Sequence, residues 1–196
     1  MRVITGLARG RKLKEPAGRD IRPTTDKVKE SVFNIIQFDI EGRRVLDLFA
    51  GTGQLGIEAL SRGAASAVFV DQSGDAVKLV RENLRATGLE KYAEVVQGDS
   101  LKILERGEGF DLIFLDPPYD SPLLEKALKA IQAFDILREG GIMVCESMPE
   151  KRLPDLDAPY FKGREYRYGK IKISIYGREN GESGRDHEDC DLSGQL

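Results

Sequence analysis

A doubly wound, mostly parallel α/β sheet of seven strands is the fold this sequence predicts, with a C-terminal antiparallel hairpin and a small N-terminal extension. Three observations predict it. Five short apolar runs alternate with segments of helical periodicity, the pattern of strand–helix–strand units. A glycine-rich turn, Gly51-Thr52-Gly53-Gln54-Leu55-Gly56, joins the first run to the helix after it. Near the end, Ile171, Ile173 and Ile175 alternate strictly beyond Gly169, as a half-buried hairpin strand does.

Residues 1–23 read as short extended pieces punctuated by Gly6, Gly10 and Gly18, a hairpin or arm. A helix is expected from Thr24 to Phe38, because Val28, Val32, Ile35 and Ile36 share one face. Thr24, Thr25 and Asp26 offer caps for it after Pro23. Strands are expected at Arg44–Leu48, Ala67–Asp71, Ala93–Gln97, Phe110–Leu115 and Ile142–Glu146. Between them helices are expected at Leu55–Arg62, Gly74–Ala86, Leu101–Glu105 and Pro122–Phe134, with Gly88 closing the second of these. The hairpin strands are Tyr160–Tyr168 and Lys170–Tyr176. Residues 178–196 carry no periodic apolar face and are expected to be disordered. The organisation is then a basic arm plus helix over 1–38, an α/β domain over 39–177 and an acidic tail over 178–196.

An apolar fraction of 40% over 196 residues, with no run of membrane-spanning length, fits one soluble globular domain. The chain begins with strand-like alternation and no signal peptide, and its two cysteines, Cys145 and Cys190, have no pairing or metal spacing. Both features predict a reducing cytoplasm. The single histidine, His187, lies in the tail, so no histidine-based metal site or triad is expected. Net charge is −3, yet residues 1–29 hold nine Lys/Arg against three Asp/Glu, and residues 178–196 hold two against six. The basic arm is a candidate phosphate-binding patch; the plainer reading is a solvated basic surface.

The glycine turn, with Asp71 ending the next strand, fits a nucleotide-binding fold. Asp47, four residues before the first glycine, points away from a pyrophosphate, which it would repel. A cationic, adenosine-containing ligand such as S-adenosylmethionine suits it better. In that reading Asp47 meets an ammonium group, Gly51 and Gly53 let the backbone approach the amino-acid part, and Phe49, Ala50, Thr52 and Leu55 belong to the same cofactor site. Asp71 takes the ribose hydroxyls beside Gln72, and Asp99 and Ser100 border the adenine. Asp99 reads equally well as a helix N-cap.

Asp116-Pro117-Pro118-Tyr119 follows the apolar run Phe110–Leu115. Neither proline has an N–H, so the chain leaves the sheet abruptly there. The result is a carboxylate, a fixed backbone carbonyl and an aromatic ring within four residues. Such a set suits a planar ring bearing an amino group; alternatively it is a turn whose tyrosine packs on the next helix. Cys145, mid-strand among apolar neighbours, reads as core rather than as a nucleophile.

Asp-Leu-Phe-Ala-Gly-Thr-Gly with a downstream Asp-Pro-Pro-Tyr resembles the class I S-adenosylmethionine-dependent amino-methyltransferases. The N-terminal signature, from Ile4-Thr5-Gly6 through Arg9-Gly10-Arg11 to Arg22-Pro23-Thr24-Thr25-Asp26-Lys27, is similar to the RsmD family of 16S rRNA guanine-N2 methyltransferases. Glu58-Ala59-Leu60-Ser61-Arg62-Gly63-Ala64 and Tyr168-Gly169 are similar to it too, and the match spans roughly residues 2–177. The acidic tail lies outside it.

The resemblance implies methyl transfer to the exocyclic amine of one guanine in small-subunit rRNA. The expected partner is 16S rRNA within a small-subunit particle and the expected state a monomer, although the sequence itself leaves both open. Asp116 and the Pro117 carbonyl would then hold the amine, Pro118 would shape the corner, and Tyr119 would stack on the base. Arg9, Arg11, Lys12, Lys14 and Arg22 would hold RNA phosphates. Arg22 and Thr24 either reach the active site or simply begin the helix. Rival readings are methylation of DNA adenine N6 or of a protein glutamine, an NAD-dependent oxidoreductase, and a non-catalytic RNA-binding module.

Overall fold

The computed structural model describes residues 1–16 and 26–180. Its seven strands are β1 (Arg44–Asp47), β2 (Ser66–Asp71), β3 (Ala93–Gln97), β4 (Phe110–Leu115), β5 (Leu137–Ser147), β6 (Tyr160–Tyr168) and β7 (Ile171–Arg178). The helices are α1 (Asp26–Ile35), α2 (Gln54–Ser61), α3 (Gly74–Thr87), α4 (Ser100–Leu104) and α5 (Leu123–Ala133). One sheet holds all seven strands in the order β3-β2-β1-β4-β5-β7-β6. The first five are parallel, and β7 runs antiparallel to both β5 and β6.

The expected mixed sheet is therefore present, with one placement that alternation alone does not specify. The last strand inserts beside β5, and its predecessor forms the edge. Burial explains the order: every residue of β7 from Ile171 to Gly177 except Ile175 is buried, whereas β6 carries exposed Arg164 and Arg167. Charged side chains on the edge discourage pairing with another chain.

The central strands β1, β2 and β4 are mostly apolar on both faces because both faces are covered. On one side Val45, Phe69, Leu112 and Phe114 pack against Val32, Phe33, Ile57 and Val80 from α1, α2 and α3. On the other, Leu46, Val70, Ile113 and Cys145 meet Leu104 of α4 and Leu124, Leu128 and Ile131 of α5. Burial pushes the Cys145 thiol up, which keeps it unreactive. Strand β5 starts five residues before its expected Ile142. Gly140 takes a positive φ of 65°, and the register with β4 slips between Phe110 and Leu112, so Gly140-Gly141 makes an irregularity within the strand rather than its start.

The N-terminal segment packs into the first of these cores through Val3, Ala8 and Leu13. Its hairpin has a single antiparallel bridge, Arg2 to Lys12, and docks along α2. Buried Glu58 accepts the Ile4 and Thr5 N–H groups at 2.8 and 3.0 Å and pairs with Arg62 at 2.9 Å. Fully buried Lys29 stands 3.8 Å from Glu58; burial holds its ammonium below the ordinary range, and Glu58 opposes that shift. The Leu7 N–H donates to the Ser61 carbonyl at 2.8 Å.

Gly6 makes this docking possible. Its φ is 86°, and a Cβ there would lie 1.7 Å from the Ser61 carbonyl oxygen. Gly6→Ala is expected to destabilise the protein by roughly 1–3 kcal/mol, the range for forced backbone strain. Trypsin should then cut at Arg9 and Arg11 several times faster; an unchanged cleavage rate would show that the turn is not held by this contact.

Candidate active site

Connections leave β1 and β4 in opposite directions along the sheet, so a crevice opens where their carboxyl ends lie side by side. Asp47 ends β1, Asp71 ends β2, and Asp116 follows the last residue of β4. A cleft of about 710 Å³ lies at this end. That volume suits a nucleoside-sized ligand.

The glycine turn forms the floor. Gly51 and Gly53 have φ of 54° and 76°, the left-handed region that favours glycine. Gly56 serves packing: a Cβ there would stand 2.3 Å from the Phe69 ring. Two carboxylates fix the turn. Asp71 accepts the Gly51 N–H and the Ser73 N–H, each at 2.9 Å, and Asp47 accepts the Gly56 N–H at 3.0 Å. Asn83 of α3 donates to the Thr52 carbonyl at 2.9 Å and to the Lys14 carbonyl at 3.1 Å. It thereby fastens the N-terminal segment to the turn, and Met1, Glu15 and Pro16 become part of the cleft wall.

The electrostatics ask for a cation. Burial pushes the Asp47 carboxyl up to about 7; the Gly56 N–H opposes this and Asp71 adds to it. Asp116 is raised well above the carboxylate range, first by burial, then by Glu146, then by Asp47. Gln54 lines the cleft, and its buried Oε1 accepts no hydrogen bond among the described residues. An acceptor left dry in this way costs about 1–3 kcal/mol until a donor arrives. An ammonium group answers all three, as a cation to the carboxyls and as a hydrogen-bond donor to Gln54, whereas an ionised pyrophosphate has neither positive charge nor a donor.

Of the residues singled out in the sequence, Asp47, Phe49, Ala50, Gly51, Thr52, Leu55, Asp71 and Gln72 line the cleft, with Asp116 and Pro118. Gly53 instead occupies the N-cap position of α2. Asp99 caps α4, its Oδ1 accepting from Leu101 and Lys102 at 2.9 and 3.2 Å, and neither it nor Ser100 is in the lining. Pro117 is buried, and the Tyr119 hydroxyl donates to Glu146 on β5.

Arg9, Arg11, Lys12 and Lys14 are exposed. Lys14 pairs at 2.9 Å with Glu82, a residue of the cleft wall. Arg9 and Arg11 belong to the turn docked on Ser61, seven residues along α2 from Gln54 and so about 10 Å further from the cleft. Arg22 and Thr24 fall outside the described residues, as does the tail from 181 onward.

Gln54, Glu146 and the Met1–Pro16 wall were not among the expected site residues. Gln54 had a signal in its place inside the glycine turn, and Glu146 in being a carboxylate closing an apolar strand. The wall depends on contacts such as Lys14 to Asn83, 69 residues apart, which no local pattern carries.

Comparison with known proteins agrees with this geometry. A family model described as "Conserved hypothetical protein 95" matches residues 1–177. "Putative rRNA methyltransferase YlbH" of Bacillus subtilis (strain 168) is 45% identical over 180 residues, covering 90% of this chain and 98% of that protein. Ribosomal RNA small subunit methyltransferase D of Escherichia coli (strain K12) is 36% identical over 188 residues, covering 95% and 94%. The solved structure of yhhF from Escherichia coli superposes with a TM-score of 0.83 at 34% identity, covering 91% of this chain and 98% of that one. A sheet with its crevice at the β1/β4 switch point, and relatives matched along nearly their whole length, place this chain in the family of the ribosomal RNA small subunit methyltransferase D proteins, and it is a methyltransferase.

Proposed function

We propose that the protein transfers a methyl group from S-adenosylmethionine to the exocyclic N2 of a guanine in 16S rRNA. The observation that carries this reading is the meeting, at one switch point, of a cation-seeking cleft with the Asp116–Tyr119 corner. S-adenosylmethionine would supply an electrophilic methyl group on a cationic sulfonium. Asp47 and the Gln54 Oε1 would hold its ammonium group, and Asp71 its ribose hydroxyls.

On the other side of the cleft, the amine of guanine is a poor nucleophile because its lone pair is delocalised into the ring. Hydrogen bonds from its N–H groups to the Asp116 carboxylate and the Pro117 carbonyl would concentrate density on nitrogen and aim it. Asp116, held ready to bind a proton by its burial, would accept the one the amine sheds. The named substrates of the relatives support rRNA as the target class.

S-adenosylhomocysteine should raise Tm in a concentration-dependent way and NAD should not; the reverse order would remove the methyl-donor reading. The exposed Arg9, Arg11 and Lys12 would meet RNA phosphates. Arg9→Glu with Arg11→Glu should weaken RNA binding at all sequences and reduce the salt slope by about 1 per lost contact. An unchanged slope would show that the patch is only solvated. Point substitutions are needed here, because truncating the segment would also remove the cleft wall at Met1, Glu15 and Pro16.

A further inference from the structure

Strand β6 is the outer edge of the sheet, and its last residues stand at the same end as the reacting corner. Strands β5 and β6 both run antiparallel to β7, so they are parallel to each other and to β4. The register then lays a row across four strands. Asp116 follows Leu115, the partner of Cys145, and so falls level with Glu146; Glu146 pairs with Ile173, and Ile173 with Tyr166. Residues level with one another share a face of the sheet. Tyr168, two residues on and paired with Ile171, shares it too. Three strand spacings of about 4.8 Å put Tyr166 about 14 Å from Asp116 along the sheet. That is too far to touch the target base and close enough for the nucleotides beside it.

Both tyrosines are half-buried against the core that holds Val144, Ile171 and Ile173, so each ring is fixed from behind while part of it meets solvent. The surroundings are basic: residues 162–172 hold five Lys/Arg against one Asp/Glu. Glu165 engages Lys162 at 3.1 Å and Lys172 at 3.4 Å. Exposed Arg164, Arg167 and Lys170 form no ion pair among the described residues. Gly169 takes a φ of 60°, which lets a two-residue turn close the hairpin and hold Lys170 at its tip. Edge protection explains the charges, and packing on Ile171 and Ile173 is the plainer use of the rings. Neither explains why rings and charges meet beside the corner.

We propose that the carboxyl end of β6 and its turn are a second RNA-contact surface, on which Tyr166 and Tyr168 stack bases flanking the target guanine and Lys170 holds a phosphate. It rests on the reading of the Asp116–Tyr119 corner given above. A base must leave its stack for its amine to reach Asp116, so the RNA at the corner is unpaired. Aromatic rings within a basic surface hold such a strand in a sequence-tolerant way. Rings already fixed by the core lose little freedom on binding. The N-terminal basic segment docks along α2, whose core partners lie in β1 and β2, on the other side of β4 from β6. RNA gripped at both places would span the corner.

The test measures binding of naked 16S rRNA to the full chain with S-adenosylhomocysteine bound, so that no turnover is required. Tyr166→Leu and Tyr168→Leu fill the space without a π-face. Each should weaken RNA binding by about 5- to 100-fold, the worth of one stacked base. Tyr166→Phe and Tyr168→Phe keep the ring and should bind as wild type does. Affinity for S-adenosylhomocysteine should be unchanged in all four, which separates a lost RNA contact from a disturbed cleft or fold. Lys170→Gln should lower the slope of log K against log salt by about 0.7, the share of one single-strand phosphate, and the tyrosine variants should leave it alone. Unweakened RNA binding in the leucine variants, or an unchanged slope in Lys170→Gln, would overturn the proposal. Variants that bind naked rRNA normally but fail on small subunits would also overturn it, in favour of a protein contact. Should a leucine variant fail to fold, Lys170→Gln in the exposed turn decides by its slope. If the wild type methylates rRNA and the leucine variants bind normally, this surface alone is wrong. If the wild type transfers no methyl group to any RNA, the proposed function fails and this surface with it.

Discussion

Asp116→Ala is expected to lower methyl transfer by about 10²–10⁴-fold, the span of a positioned acid–base group, while S-adenosylhomocysteine still binds within a few fold. The two readouts separate because Asp116 stands at the amine side of the cleft, whereas the cation-seeking pair Asp47 and Gln54 belongs to β1 and the start of α2. Alanine also removes a buried carboxyl crowded by Glu146 and Asp47. The variant should therefore be no less stable than the wild type above neutral pH. A group whose carboxyl is raised in the folded state stabilises the protein at low pH and loses that contribution as pH rises through its folded pKa. Asp116→Ala should flatten this decline. Turnover within tenfold of wild type would show that the amine is held by something else.

Asp47→Asn should trade ligand binding for stability. The carboxyl of Asp47 moves from its ordinary 3.8 to about 7 on folding, chiefly through burial. At 1.36 kcal/mol per pKa unit, the folded apoprotein gives up at most about 4 kcal/mol as pH rises from 4 through 7. Asparagine keeps an oxygen to accept the Gly56 N–H and carries no charge. The variant should therefore unfold at a higher Tm than wild type at pH 8 and at the same Tm at pH 4. Its affinity for S-adenosylhomocysteine should fall by about 10- to 100-fold, the worth of one charge-assisted hydrogen bond at 1.5–3 kcal/mol. In the wild type, a cationic ligand lowers the Asp47 pKa, so binding should tighten from pH 6 to pH 8 and release a proton. Calorimetry in buffers of different ionisation enthalpy reads that proton. Equal affinity at both pH values, with no proton released, would contradict this account of the cleft.

Much of the fold was legible because its central strands are buried on both faces and so appear as unbroken apolar runs. Strand β4 begins and ends where its run does, from Phe110 to Leu115; β3 also has the expected bounds, although it lies at the sheet edge with no fully buried residue. Glycine misled once, since Gly140-Gly141 read as a boundary and is an irregularity inside β5. The glycine turn and the Asp-Pro-Pro-Tyr corner were legible because each packs several unusual backbone demands into a few consecutive residues. Glu146 and Asn83 were not, because each works through a partner brought close only by the sheet or by helix docking. The N-terminal segment was read as an arm since its charge is local; its fixing on Glu58 and Ser61, more than 50 residues away, is not.

The central claim is tested most directly by transfer of labelled methyl from S-adenosylmethionine to small ribosomal subunits that lack the native modification. Naked 16S rRNA and duplex DNA run alongside, and every product is digested to nucleosides. The account predicts N2-methylguanosine from the rRNA and no label in DNA. Label recovered as N6-methyladenine, or only in protein, would contradict it.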